Sequence, residues 1–122
     1  MADKWTAIHT LWSSFGLTAY DEQTVPNDAP LPYITYEAQT ADFDEKVYMT
    51  ASLWYRSTSW ADISQKAEAI SNLIGDGYKV PYDNGRMWVT KAVPFAQRMS
   101  AMSEPSDEHV RRIVLQIAAE FQ

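Results

Sequence analysis

The chain has 122 residues, a length that normally folds as one domain, and the expectation is a single α+β domain spanning 1–122. Its net charge of −6, with 10 scattered Lys and Arg against 16 Asp and Glu, argues against a partner rich in phosphate, which needs clustered cations. With no cysteine, disulfides, thiolate metal sites and cysteine nucleophiles are excluded. No window approaches the roughly 20 apolar residues of a membrane helix. The first residues, MADKWTAIHTLW, carry charges and no long apolar run. These features predict a soluble protein made in the cytoplasm, with no membrane partner.

In chain order, Asp3 is placed to cap a first helix reaching about Phe15, with Trp5, Ile8, Leu11, Trp12 and Phe15 as its apolar stripe. Gly16 stops it. A short strand is expected at Leu17–Tyr20, then a loop punctuated by Pro26, Pro30 and Pro32, then a second short strand at Tyr33–Glu37. An acidic loop, AQTADFDE, follows with Phe43 as its one large apolar residue.

The most informative stretch comes next. From Lys46 to Arg56, Val47, Met49, Ala51, Leu53 and Tyr55 alternate with Tyr48, Thr50, Ser52, Trp54 and Arg56. A period of two gives a strand with one apolar and one mixed face. Ser57, Thr58 and Ser59 offer capping hydroxyls to a second helix, on which Trp60, Ile63, Ala67, Ile70, Leu73 and Ile74 recur at helical spacing. Gly75 and Gly77 are suited to the left-handed conformation that closes a helix. Tyr78–Pro81 and Arg86–Val93 form a hairpin around the turn signal Asp83-Asn84-Gly85. Pro94 to Glu108 has no clean period and admits two readings, an extended strand with a loop or a mobile excursion ordered by a partner. The last strand, His109–Phe121, sets Ile113, Leu115, Ile117, Ala119 and Phe121 on one face. Together these elements predict a two-layer fold: a mostly antiparallel sheet of four to five strands, its two long strands adjacent, with both helices packed on the apolar face.

Candidate chemistry is thin. His9 and His109 have no second ligand at metal-binding spacing and read as structural or surface histidines. Ser13, His9 and Asp21 make a triad only on paper, because no strand–turn–helix elbow presents the serine. The carboxylates Asp42, Asp44 and Glu45 lack the glycine and the final glutamate of a calcium loop. Gly75-x-Gly77 follows a helix and precedes a strand, the reverse of a phosphate loop. No catalytic residue, cofactor site or metal site is therefore assigned, and the chain is not read as an enzyme. What stands out instead is contact surface. Tyr48 and Trp54 lie on the mixed face of the central strand, while Phe95, Met99 and Met102 punctuate the Pro94–Glu108 run. Phe43, rimmed by Asp42, Asp44 and Glu45, has the form of an apolar anchor in a charged border. The candidate interface set is Phe43, Asp44, Tyr48, Trp54, Phe95, Met99 and Met102.

The layout also resembles a family. The N-terminal amphipathic helix, the entry VPNDAPLPYITYE, the acidic ADFDEK, the strand VYMTASLWYRSTSW and the helix DISQKAEAISNLIGDG occur in that order. The hairpin at DNGRMWV, the run VPFAQRMSAMSEPSDEHV and the final RRIVLQIAAEF complete it. Over nearly the whole chain this is similar to the tail terminator, or tail completion (minor tail), proteins of long-tailed bacteriophages. The resemblance implies a virion protein at the head–tail junction and a homo-oligomeric, hexameric ring on the end of the tail tube. Such a ring stops tube polymerisation and presents the head-joining surface. The implied partners are other copies of the chain, the tail tube protein and a head-completion or neck protein. Head-closure and other neck proteins of the same phages share this size and composition and form the nearest alternative. From a different class, a small cytoplasmic α+β enzyme or ligand-binding domain would use a pocket between the first helix and the sheet, with His9 or Glu37 as its polar group.

Overall fold

A computed structural model describes residues 4–22, 25–26, 28–37, 46–56, 59–82, 85–99 and 110–121. The elements run α1 (Lys4–Ser13), β1 (Thr18–Asp21), β2 (Tyr33–Tyr36), β3 (Val47–Arg56), α2 (Ala61–Ile74), β4 (Tyr78–Tyr82), β5 (Gly85–Met99) and β6 (Val110–Phe121). The strands form one sheet in the order β1-β2-β3-β6-β5-β4. That is six strands in one sheet, where four to five were expected; the short strand expected at Leu17–Tyr20 is present as the four-residue β1, which pairs parallel with β2 at the sheet margin. Every other pairing is antiparallel.

The two long alternating segments are neighbours. β3 and β6 align from Val47 opposite Ala119 to Arg56 opposite Val110. This register brings Met49, Ala51 and Leu53 of β3 beside Ile117, Leu115 and Ile113 of β6, all on one face. Ile34 of β2 and Met87 and Val89 of β5 extend that face, and both helices bury their apolar stripes against it. The α1 stripe is Ala7, Ile8, Leu11 and Trp12, with Phe15 just beyond the helix; the α2 stripe is Ile63, Ala67, Ile70 and Ile74. Two residues expected in the stripes are exposed instead, Trp5 at 47% and Leu73 at 55%. Each sits roughly 90° around its helix from the centre of the buried arc, at the limit of what an apolar stripe can bury.

Local signals act much as the residues dictate. Gly16, at φ +86°, takes the chain out of α1, and Lys66 Nζ donates 3.0 Å to the Phe15 carbonyl there. Ser59 Oγ accepts the Ala61 amide at 3.0 Å at the entry to α2, but the N-cap position itself is Trp60, which makes no side-chain cap. Gly75, at φ 52°, ends it. Gly77 is a correction, since only Gly16 and Gly75 have positive φ among the described residues. Its role is space: a Cβ there would lie 1.9 Å from the Trp88 ring. β5 also outruns its expected end at Val93, passing through an irregularity at Lys91–Ala96 and continuing to Met99. The first part of Pro94–Glu108 is therefore extended strand. Asp3, Ser57, Thr58 and the Asp83-Asn84 turn lie outside the described residues.

Two predictions follow from the packing. Leu53 and Leu115 are fully buried mid-strand. Replacing either with Ala is expected to cost about 2–5 kcal/mol in denaturant unfolding. Gly77→Ala should cost about 1–3 kcal/mol through overpacking against Trp88. A double-mutant cycle with Trp88→Ala should recover most of that loss.

Candidate functional site

With both helices on one face of the sheet, the other face has no helix over it among the described residues. Alternation places Tyr48, Thr50, Ser52 and Trp54 of β3 there, beside Arg112, Val114, Gln116, Ala118 and Glu120 of β6. Tyr48 is 70% exposed, so α1 does not roof it. Next to it a hollow of about 460 Å³ is lined by Lys46, Thr90, Val93, Gln116 and Ala118. Val93 stands 95% exposed at the irregularity in β5, where Gln116 Nε2 donates 3.1 Å to the Pro94 carbonyl. Lys46 and Glu120 form an exposed ion pair at 3.6 Å along one margin.

The other end of this face is more ordered. Trp54 Nε1 donates to Thr35 Oγ1 at 2.9 Å, and Arg112 Nε donates to Ser52 Oγ at 3.1 Å. The Arg112 guanidinium also lies 4.9 Å over the Trp54 ring. Thr35 and Ser52 are buried beneath these two larger side chains. Trp54 is thereby fixed by a donor bond and a cation–π contact, and it presents a half-buried ring edge.

The predicted interface residues divide by face. Tyr48 and Trp54 share the open face, and Met99, aligned with Arg112, joins them. Phe95 does not. It packs against the core and lines a groove of about 360 Å³ with Ala67, Ser71, Arg98 and Ile113, on the side of α2. Phe43, Asp44 and Met102 lie outside the described residues. Val93 was missed, because a valine in a strand-like run carries no signal that it will be extruded.

The paper triad resolves differently. His9 Nε2 lies 3.2 Å from Ser13 Oγ, but its Nδ1 is 2.8 Å from the Tyr36 hydroxyl. Tyr36 thus occupies the position a triad acid would need, while Asp21 is aligned with Tyr36 across the strand pair. Burial first, and Asp21 second, raise the Tyr36 phenol above its usual range, which keeps it a neutral hydrogen-bonding group. Either neutral tautomer of His9 satisfies both contacts, so the arrangement ties α1 to β2. Glu37 projects to the opposite face from Tyr36, so His9 and Glu37 do not converge on one pocket. Among the described residues no group of three or more His, Asp or Glu is placed to hold a metal ion.

One charged feature marks the β1–β2 end. The Glu22 carboxyl is raised from 4.5 by loss of hydration, then by the hydrogen bond its protonated form donates to Glu37 and by that residue's like charge, with Arg112 opposing. A raised folded-state value means that the folded chain binds this proton more tightly than the unfolded chain. Stability from this group is therefore present at low pH and lost as pH climbs from 4.5 through the raised value. Glu37→Gln should flatten that loss in melting curves recorded across the carboxylate range.

No family model and no curated protein matches the chain. Its fold is similar to that of a chain in a solved structure described as "Virion of native gene transfer agent (GTA) particle". The TM-score is 0.57 at 21% identity, covering 91% of this chain and 83% of that one. At that identity the likeness is one of fold.

Proposed function

We propose that this chain is a structural protein of a phage-type virion, a tail terminator that closes as a single-domain, hexameric ring on the end of the tail tube. The ring stops tube growth and offers the surface to which a head-completion or neck protein joins. The observation that carries this reading is the open sheet face, where Tyr48 and Val93 project into solvent at one end and a fixed Trp54 stands at the other. An aromatic and aliphatic surface on a firm backbone suits protein contact, and such surfaces are enriched in interfaces. The fold shared with a chain of a gene transfer agent virion supports placement in a particle of this kind. So does the layout of helix, acidic loop, long strand and closing strand in the sequence. The work is assembly, with no cofactor and no turnover.

The test adds purified tail tube protein and images the tube ends. The expected result is decoration of one end and tubes of limited length. Tyr48→Asp should leave the melting temperature nearly unchanged, because the side chain is exposed, yet reduce end decoration. Phe43→Ser, in the acidic loop, should leave folding intact and impair tail completion. Bare ends on tubes of uncontrolled length would overturn the terminator reading. Binding to a portal or neck assembly with no tube binding would replace it with a neck protein.

A further inference from the structure

The sheet has two open margins. β1 is the last strand on one side, and its outer edge meets no other strand among the described residues. On the other side β4 covers only part of β5, pairing from Gly85 to Val89. Beyond the irregularity, Ala96, Gln97, Arg98 and Met99 pair with β6 on their inner side and with no strand on their outer side among the described residues. An open backbone edge is a template for another strand. The lengths also match, since β1 has four residues and the open stretch of β5 has the same.

Charge selects which edge meets which. The β5 margin carries Lys91 and Arg98, held in place from α2: Lys91 Nζ donates to Ser71 Oγ at 3.0 Å and Arg98 Nη2 to Ser64 Oγ at 3.1 Å. Arg98 also lies 5.0 Å over the Trp60 ring. The β1 margin ends in Asp21 and Glu22, next to Glu37. Pairing β5 with β5 would juxtapose two Arg98, and pairing β1 with β1 would gather the acids; only β5 with β1 sets opposite charges together. The faces agree as well. Arg98 is aligned with Ile113, and Asp21 with Tyr36, so both lie on the helix-covered face. Strand direction agrees too. β1 runs parallel to β2, and three successive antiparallel pairings separate β2 from β5. Two copies side by side in the same orientation therefore bring β1 and β5 together antiparallel.

We infer that the Ala96–Met99 edge of one copy pairs antiparallel with the Thr18–Asp21 edge of the next, Met99 opposite Thr18 and Ala96 opposite Asp21, which sets Arg98 of one diagonal to Asp21 of the other on the same face. This deepens the ring reading and rests on it. Each copy keeps one edge of each kind, so the contact is head-to-tail and ends only when the set closes on itself.

The absence of cysteine makes the test clean. Thr18→Cys is prepared separately from Gln97→Cys and Met99→Cys, and circular dichroism checks each fold. Under mild oxidation, Thr18→Cys should give disulfide-linked dimers when mixed with Met99→Cys, opposite it, and fewer with Gln97→Cys, diagonal to it, and no variant should cross-link alone. Cross-linking of Gln97→Cys with itself, or no link in either mixture, overturns the proposal. In sedimentation velocity Arg98→Asp should weaken association roughly tenfold or more, with recovery when Asp21→Arg is added to the same chain. Continued weakness of the double variant also overturns it. The tube assay separates the two readings. Cross-linked chains that leave tube ends bare uphold the edge contact and sink the terminator role. Arg98→Asp chains that still cap tubes, with no cross-link in the mixtures, sink the edge contact alone.

Discussion

The antiparallel ladder between β3 and β6 is the constraint on which the rest depends. Ten residues of β3 are aligned with ten of β6, and both strands are apolar on the same side. A slip of one residue in either strand would turn its whole apolar set to solvent. Held in register, the two strands create a strip of Met49, Ala51, Leu53, Ile113, Leu115 and Ile117 wide enough to seat both helices. β2 and β5 attach to the outer sides of this pair, and β1 and β4 attach to them in turn. Contacts far apart in sequence thus define the core.

That arrangement leaves the molecule one-sided. Both helices are used on one face, so the opposite face keeps a row of side chains that the described residues cover only in part. At the β2 end, Trp54 and Arg112 shield Thr35 and Ser52 through paired hydrogen bonds and a stacked guanidinium. At the other end Tyr48 and Val93 have no such shield. Exposed aromatic and aliphatic groups on a stiff sheet lose little entropy when a partner covers them, which suits a surface built for assembly. The excess of acids over bases works against association of like chains at long range. Any contact between copies must then rest on local complementarity, such as the basic β5 margin against the acidic β1 margin.

Most of this fold was legible in the residues because its long elements are strongly periodic. The alternation from Val47 to Tyr55 and from Ile113 to Phe121 identified both central strands and the face each buries. The helices were equally plain, although Trp5 and Leu73 show that a stripe read from spacing alone is drawn too wide. The contact surface was only partly legible. Tyr48 and Trp54 stood out as aromatics where charges are usual. The faces of Arg98 and Met99 could not be read, because β5 advances from Lys91 to Ala96 while β6 moves only from Ile117 to Leu115. The extra residues reverse which positions face the helices, and no local pattern announces that reversal. Open edges are likewise set by the different lengths of paired strands, a non-local property.

Hydrogen exchange, resolved by segment in the dispersed chain and again in its assembled state, tests the account most directly. β3 and β6 are expected to be strongly protected in both states. Ala96–Met99 and Thr18–Asp21 should exchange readily in the dispersed chain and gain protection together on assembly. Assembly that leaves both edges exchanging as before, or β3 and β6 exchanging as fast as the sheet margins, would contradict it.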